Sequence, residues 1–259
     1  VLTAVACAPK EPELGSPENP IVFVFTPSGV QEEVVAGMEA VGDLLEEATG
    51  YTIETKLVTS YNAAVEALCN GQSQISHMGS FPYLIAHDKC GIEPAGVFIR
   101  YGLDTYGTQI IARADSGFTS LEDLDGKKAC WNDVLSASGY IVPQGILGDA
   151  GVLDTLQEGI LVGSHASVVQ SLYEGGICDF GATWVDARGT IEEEHPDVEE
   201  VISVIFTSEN FIPNDMFVFA SDLDPAIAEN ILAALVAIPD TEDGKAAYDQ
   251  LYQIEGVTP

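Results

Sequence analysis

The sequence predicts an α/β protein of two lobes joined by two chain crossings. Three observations carry that expectation. Short β-rich runs alternate with helical segments through residues 21–88 and again through residues 128–183, the pattern of βαβ units and largely parallel sheets. Between these stretches two strand-like runs, 95–101 and 106–114, follow one another with no helix between them, as a chain does when it passes from one lobe to another. A second passage falls near residues 203–213 and returns the last segment to the first lobe. The 259 residues suit one large domain or two small ones.

Taken in order, residues 21–26 (IVFVFT) lie between Pro20 and Pro27 and read as a buried strand. Val34, Met38, Val41 and Leu45 fall on one face of a helix that Gly50 stops. Residues 51–58 alternate as a strand, 63–68 are helical up to Gly71, and 74–78 form a short strand. Gly79 then opens a turn into a helix over 81–88. After the crossing, Asp115, Ser116 and Gly117 break the chain and residues 120–125 make a short turn or helix. Strands are expected at 128–131, 159–162 and 178–183, with helices starting near Ser138 and Ser164. A strand at 215–220 and helices at 225–238 and 244–254 finish the chain. The boundaries expected are 21–108 with 207–259 for lobe one and 109–206 for lobe two.

Charge sets the function classes aside. Nine Lys and Arg stand against 41 Asp and Glu, a net charge of −32. That field repels nucleic acid and anionic lipid surfaces. The few lysines beside many acids also suit a salt-rich habitat, and acidic runs such as residues 192–194 read as solvated faces. No run approaches the roughly 18 apolar residues of a spanning helix. Residues 1–7 are apolar and small and end at Cys7, and residues 8–20 are rich in Pro and Glu. This resembles the tail of a bacterial lipoprotein signal, with Cys7 lipidated and residues 1–20 as signal remnant and tether. The position three before the cysteine is Ala4 rather than the usual Leu.

Setting Cys7 aside leaves Cys69, Cys90, Cys130 and Cys178, an even number that allows three pairings. Order along the chain favours Cys69–Cys90 and Cys130–Cys178, as an exported protein would form. No C-x-x-C occurs and His77, His87, His165 and His195 do not cluster with cysteines, so no metal site is expected. Two α/β lobes in an exported, tethered chain are the arrangement of a transporter's solute-binding protein. Its ligand would sit between the lobes, at the C-terminal ends of strands and the N-termini of helices.

Several residues stand at such places. Residues 132–140 (NDVLSASGY) follow a strand and open a helix, where Ser136 and Ser138 offer hydroxyls beside the free amides of a first turn. A plain Ser cap fits the same spacing. His165 follows Gly163 and Ser164 at the next helix start, as an oxyanion donor or a capping histidine. Tyr83, after Gly79 and Ser80, presents a phenol to the cleft or packs in the core, and Tyr106 in the crossing strand has the same two readings. Asp186, after the strand at 178–183, accepts from a protonated P–OH or caps a helix. Arg100, Arg113 and Arg188, the only arginines, help to bind an anion or make surface pairs. No nucleophile–base pair, P-loop or HExxH motif is present, which favours binding over catalysis; no catalytic residue and no cofactor is assigned.

Residues 61–71 (YNAAVEALCNG), 78–88 (MGSFPYLIAHD), 113–126 (RADSGFTSLEDLDG), 136–143 (SASGYIVP) and 163–169 (GSHASVV), in this order, resemble the PhnD-like phosphate, phosphite and phosphonate-binding proteins of ABC transporters. The resemblance runs over residues 21–213 and more loosely to the end. It implies the type 2 periplasmic-binding-protein fold, closing on a tetrahedral phosphorus oxyanion. It also implies an extracytoplasmic monomer whose partner is an ABC permease and whose only membrane contact is a lipid anchor. By position it makes Ser136, Ser138, His165, Tyr83 and Tyr106 ligand donors, and Asp186 a rough match for an acidic neighbour. Ala137 stands where the family often carries Thr or Ser, leaving only its backbone N–H, so the ligand can differ from the commonest one. The same fold also serves as a sensor for another oxyanion. A secreted enzyme using Asp186 and His165 is the remaining alternative.

Overall fold

A computed structural model, describing residues 12–259, shows two mixed sheets that the chain visits in turn. It runs β1 (Ile21–Phe25), α1 (Gln31–Thr49), β2 (Ile53–Leu57), α2 (Tyr61–Cys69), β3 (Ile75–Met78), α3 (Ser80–Cys90) and β4 (Glu93–Ile99). A short strand, β5 (Thr105–Tyr106), leads on to β6 (Thr108–Arg113), β7 (Lys128–Trp131), α4 (Val142–Asp149), β8 (Gln157–Leu161), α5 (His165–Glu174), β9 (Phe180–Trp184), α6 (Val198–Val201) and β10 (Ile202–Thr207). Then β11 (Ile212–Pro213) returns the chain to β12 (Met216–Phe219), α7 (Pro225–Ala237), α8 (Glu242–Tyr252) and β13 (Gly256–Thr258).

The first sheet has the order β13-β4-β12-β3-β1-β2. β1 is parallel to β2 and β3, while β12 enters antiparallel between β3 and β4. A strand made after the second crossing therefore completes a sheet begun before the first. The second sheet has the order β10-β6-β9-β7-β8, with β7 parallel to both neighbours and β6 and β10 antiparallel. β5 and β11 pair with each other as a two-stranded antiparallel ribbon, Tyr106 opposite Ile212. This ribbon is the hinge, and its two strands belong to neither large sheet.

Burial explains the elements. β1 is covered on both faces, so its residues are apolar throughout rather than alternating. Phe23, Phe98 and Phe217 meet edge to face in the first sheet's core, with ring centres 5.4 and 4.6 Å apart. The expected face of α1 (Val34, Met38, Val41, Leu45) packs into that same core. Gly37 lets α8 close on it, since a Cβ there would lie 2.6 Å from the Leu251 amide nitrogen.

The structure departs from the sequence expectations at three places. Residues 203–207, read as the start of the second crossing, lie in β10 (Ile202–Thr207), which pairs with β6 and leaves the crossing itself to β11. The helix expected from Ser138 starts at Ala137 with a wider turn, in which the Ser136 carbonyl accepts from both Tyr140 and Ile141. Residues 12–20, read as tether, include a turn docked on the first lobe. There the Gly15 carbonyl accepts from Thr52 N–H and Leu14 packs against the core. Cys7 lies outside the described residues.

Cys69 and Cys90 form one disulfide, tying the ends of α2 and α3, and Cys130 and Cys178 form the other, tying β7 to the approach to β9. This is the pairing that chain order favours. Among the described residues no helix is long and apolar enough to cross a membrane. Thiol titration of denatured, unreduced protein is expected to find none of these four cysteines reactive. Four reactive thiols would contradict the pairing.

Candidate functional site

A cleft of about 650 Å³ lies between the two sheets, where strand ends and helix starts from both lobes converge. Gly79 follows β3 and Arg100 follows β4; Trp184 ends β9, with Val185 and Asp186 behind it. Asp215 precedes β12, but β12 runs antiparallel, so its start lies at the same edge.

The second lobe contributes an array of neutral polar groups. Ser136 caps the helix start, its Oγ accepting from Gly139 N–H at 3.1 Å. The amides of Ala137 and Ser138 come before the first intrahelical bond and point along the helix axis. Thr108 Oγ1 donates to the Ser138 carbonyl and anchors this turn to β6. His165, the first residue of α5, has Nε2 3.0 Å from Asn132 Nδ2 and 3.4 Å from Ser136 Oγ. Gly139 is needed here, because a Cβ would run into Asn132 Oδ1 and His165. Ser138 Oγ, His165 Nδ1 and Asn132 Oδ1 are all buried with no hydrogen-bond partner among the described residues. Burial holds the His165 ring at about 4, so it is neutral at physiological pH.

The first lobe contributes a charge pair. Both Nη atoms of Arg100 donate to Asp215 Oδ2 at 3.3 Å, and its Nε donates to the Tyr252 carbonyl at 2.8 Å. His77 Nε2 donates to the same Oδ2 at 3.2 Å, and Thr26 Oγ1 lies 2.7 Å from His77 Nδ1. Burial by itself would raise the Asp215 carboxyl, but Arg100 and His77 outweigh it and hold it at about 2. Asp215 Oδ1 makes no hydrogen bond among the described residues and lies beside Gly79. Burial pushes up the phenols of Tyr61, Tyr106 and Tyr252, and the Asp215 charge adds to the shift, so all three stay O–H donors.

Of the sequence candidates, Tyr106, Ser136, Ala137, Ser138, His165 and Asp186 line this one cleft. Tyr83 does not. It packs with the apolar side chains of α2 and α3, its ring 5.8 Å from His87, and Gly79 is the part of its turn that reaches the cleft. Asp186 sits at the rim, its side chain 70 % exposed and 4.0 Å from Arg188. Its side chain caps nothing, and no hydrogen bond joins it to His165. Arg113 makes the expected surface pair with Asp115. Arg100 is no surface pair, since it and Asp215 are only 17 % and 15 % exposed. Sequence reasoning passed over Asp215, Asn214, Tyr61, Tyr252 and the part of Asn132. Asn132 stood in the motif already singled out, beside Ser136. Asp215 carried no local signal, because its partner Arg100 is 115 residues away.

The family model of phosphonate-type periplasmic substrate-binding proteins of ABC transporters matches residues 23–259. The phosphate-import protein PhnD of Mycolicibacterium smegmatis is 28% identical over 179 residues, 64% of this chain and 55% of that protein. The chain thus aligns with about half the length of this curated relative. Among solved structures, the binding-protein component of an ABC phosphonate transporter from Pseudomonas aeruginosa superposes with a TM-score of 0.83 at 18% identity, covering 92% of this chain and 81% of that one. PhnD1 from Prochlorococcus marinus, in complex with methylphosphonate, gives 0.81 at 15% identity, covering 92% and 91%. At these identities the two structures establish the type 2 binding-protein fold.

The depressed His165 value has a consequence for stability. The folded ring stays neutral down to about 4, whereas the unfolded ring takes a proton near 6.5. Its contribution is complete above about pH 6.5 and is lost as the pH falls toward 4. Burial shifts His77 in the same direction. The melting temperature of the ligand-free protein is therefore expected to fall across that window, and less steeply in His165→Gln. An unchanged slope would remove His165 from the account.

Proposed function

This chain belongs to the phosphonate family of periplasmic substrate-binding proteins of ABC transporters, and from that premise we propose that it captures a phosphorus oxyanion between its lobes and delivers it to an ABC permease. The observation that supports the reading is a pair of unpartnered buried groups able to donate, Ser138 Oγ at one helix start and His165 Nδ1 at the next. Buried polar groups are ordinarily satisfied, and a tetrahedral anion at the Ala137 and Ser138 amides would accept from both. The relatives agree: one is named for phosphate import and another was solved with methylphosphonate.

Asp215 narrows the ligand. Its free Oδ1 faces the cleft as a fixed negative charge, which favours only a ligand able to donate to it. The bound species is then one that carries a P–OH. Asp215 takes the role that the sequence suggested for Asp186, because it is held in the cleft by Arg100 and His77 while Asp186 is exposed at the rim. The cleft extends past the helix start to Val30 and Val34 of the α1 end and Leu251 of α8. Apolar walls there suit an organic substituent on phosphorus, which makes a phosphonate the preferred class. The family is extracytoplasmic, and the two disulfides fit an oxidising compartment. Attachment through Cys7 belongs to the same reading and is supported by the sequence pattern.

Calorimetric titration with phosphate, phosphite, hypophosphite and small alkylphosphonates tests the proposal, with methylphosphonate expected to bind. One hydrogen bond to a charged group contributes about 1.5–3 kcal/mol, so Ser138→Ala is expected to weaken binding about ten- to a hundredfold. Asp215→Asn is expected to weaken the protonated ligand, and Asp186→Asn to leave affinity within about twofold. No heat with any of these anions would overturn the proposal. Tighter binding of every anion by Asp215→Asn would remove Asp215 from ligand recognition.

A further inference from the structure

The lobes touch across the cleft away from the hinge, and one of these contacts is directional. Asp133 follows Asn132 in the second lobe, on the loop that carries Ser136 and Ser138. Its Oδ1 accepts from Leu135 N–H at 2.9 Å, and its carbonyl accepts from Ser136 N–H at 3.0 Å. Its Oδ2 reaches the other lobe and accepts from Tyr61 N–H at 3.1 Å, a residue 72 positions earlier. Tyr61 is the first residue of α2, and the Ser60 cap bonds to Ala63 N–H, so the Tyr61 amide has no acceptor within its own helix.

We propose that Asp133 is a positioning residue that latches the lobes closed and thereby sets how long the ligand stays. A carboxylate at the positive end of a helix makes a charge-assisted bond, stronger and more directional than an apolar contact. Val30 also packs against the second lobe's apolar cluster, a contact that fixes no register. Opening must break the Asp133 bond. Because the loop is wound around that side chain, the oxyanion-binding amides approach Tyr61 and Asp215 only while Asp133 is docked. Asp133 lines no part of the cleft, so its effect runs through the open–closed equilibrium: a closed form made rarer by a given factor lowers apparent affinity by up to the same factor.

The proposal rests on the ligand reading for its kinetic half, but its conformational half does not. Asp133→Asn keeps an oxygen for Leu135 and sets an amide nitrogen, which accepts nothing, opposite Tyr61 N–H. Ligand-free Asp133→Asn is expected to show a larger radius of gyration by small-angle scattering than the ligand-free wild type. In stopped-flow with methylphosphonate its dissociation is expected to be about tenfold faster, with association within about twofold. An unchanged scattering profile would overturn the latch whether or not methylphosphonate binds. A loss confined to the association rate would overturn it too, because that is the mark of a misshapen loop. A wild type that ignores methylphosphonate would overturn the ligand reading and leave scattering to decide the latch. If Asp133→Asn does not fold, Tyr61→Pro and Tyr61→Ala replace it. Both lose the ring and only the first loses the N–H, which a helix start tolerates. The latch requires Tyr61→Pro to be the more open of the two, and equal profiles would overturn it.

Discussion

A chain with a net charge of −32 can hold an anion only with donors that do not depend on the long-range field. At physiological ionic strength that field is screened beyond about 8 Å, so a deep cleft is decided by its nearest groups. The cleft meets this constraint with neutral parts: two serine hydroxyls, the amides of a helix start, an uncharged histidine and three phenols. Burial keeps the histidine and the phenols uncharged, and the hydroxyls and amides carry no charge to begin with. The same burial that makes an unpaired polar atom costly makes the site selective for a ligand that pairs with it.

The only arginine in the cleft is offset at once by Asp215, on which both of its Nη atoms converge. The pair adds almost no net charge. It gives a carboxylate held ionised in a buried place, with one oxygen committed to Arg100 and His77 and the other left free. A buried ion pair is weak evidence for stability, since desolvation opposes the Coulomb gain. Here its consequence lies in direction: it aims one ionised acceptor across the cleft toward the donors of the helix start, and that arrangement distinguishes protonated from fully ionised oxyanions.

Mobility and site are built from the same topology. The β5–β11 ribbon carries both crossings, and β12 cannot pair with β3 and β4 until the chain has made the second lobe and come back. The first lobe is thus closed by a segment from the far end of the sequence, and Asp215 rides in on it. The second lobe is continuous and brings its whole set of donors on two loops, after β7 and before α5.

The continuous half of the molecule was legible in the sequence. Apolar runs placed β1, β3, β7 and β9, the spacing of Val34 to Leu45 placed α1, and the residues around Ser136 and His165 marked helix starts, because caps and turn glycines act over three or four residues. Cysteine order along the chain matched both disulfides. The β10 strand was missed because its pairing with β6 spans some ninety positions of chain and leaves no local period. Tyr83 and Asp186 were placed by their neighbours in sequence, whereas which side of α3 faces the cleft, and which carboxylate is buried, depend on where the other sheet lies. Arg100 and Asp215 are ordinary surface residues by every local criterion. Folding puts them 3.3 Å apart and removes the water that would otherwise separate their charges. The sequence by itself determined most of the elements and the helix starts that carry Ser136, Ser138 and His165, all products of short-range geometry, and it favoured the disulfide pairing through chain order. Only the tertiary structure decided the charged acceptor, the tyrosines of the cleft and the contact between Asp133 and Tyr61, since each joins segments that no local rule relates.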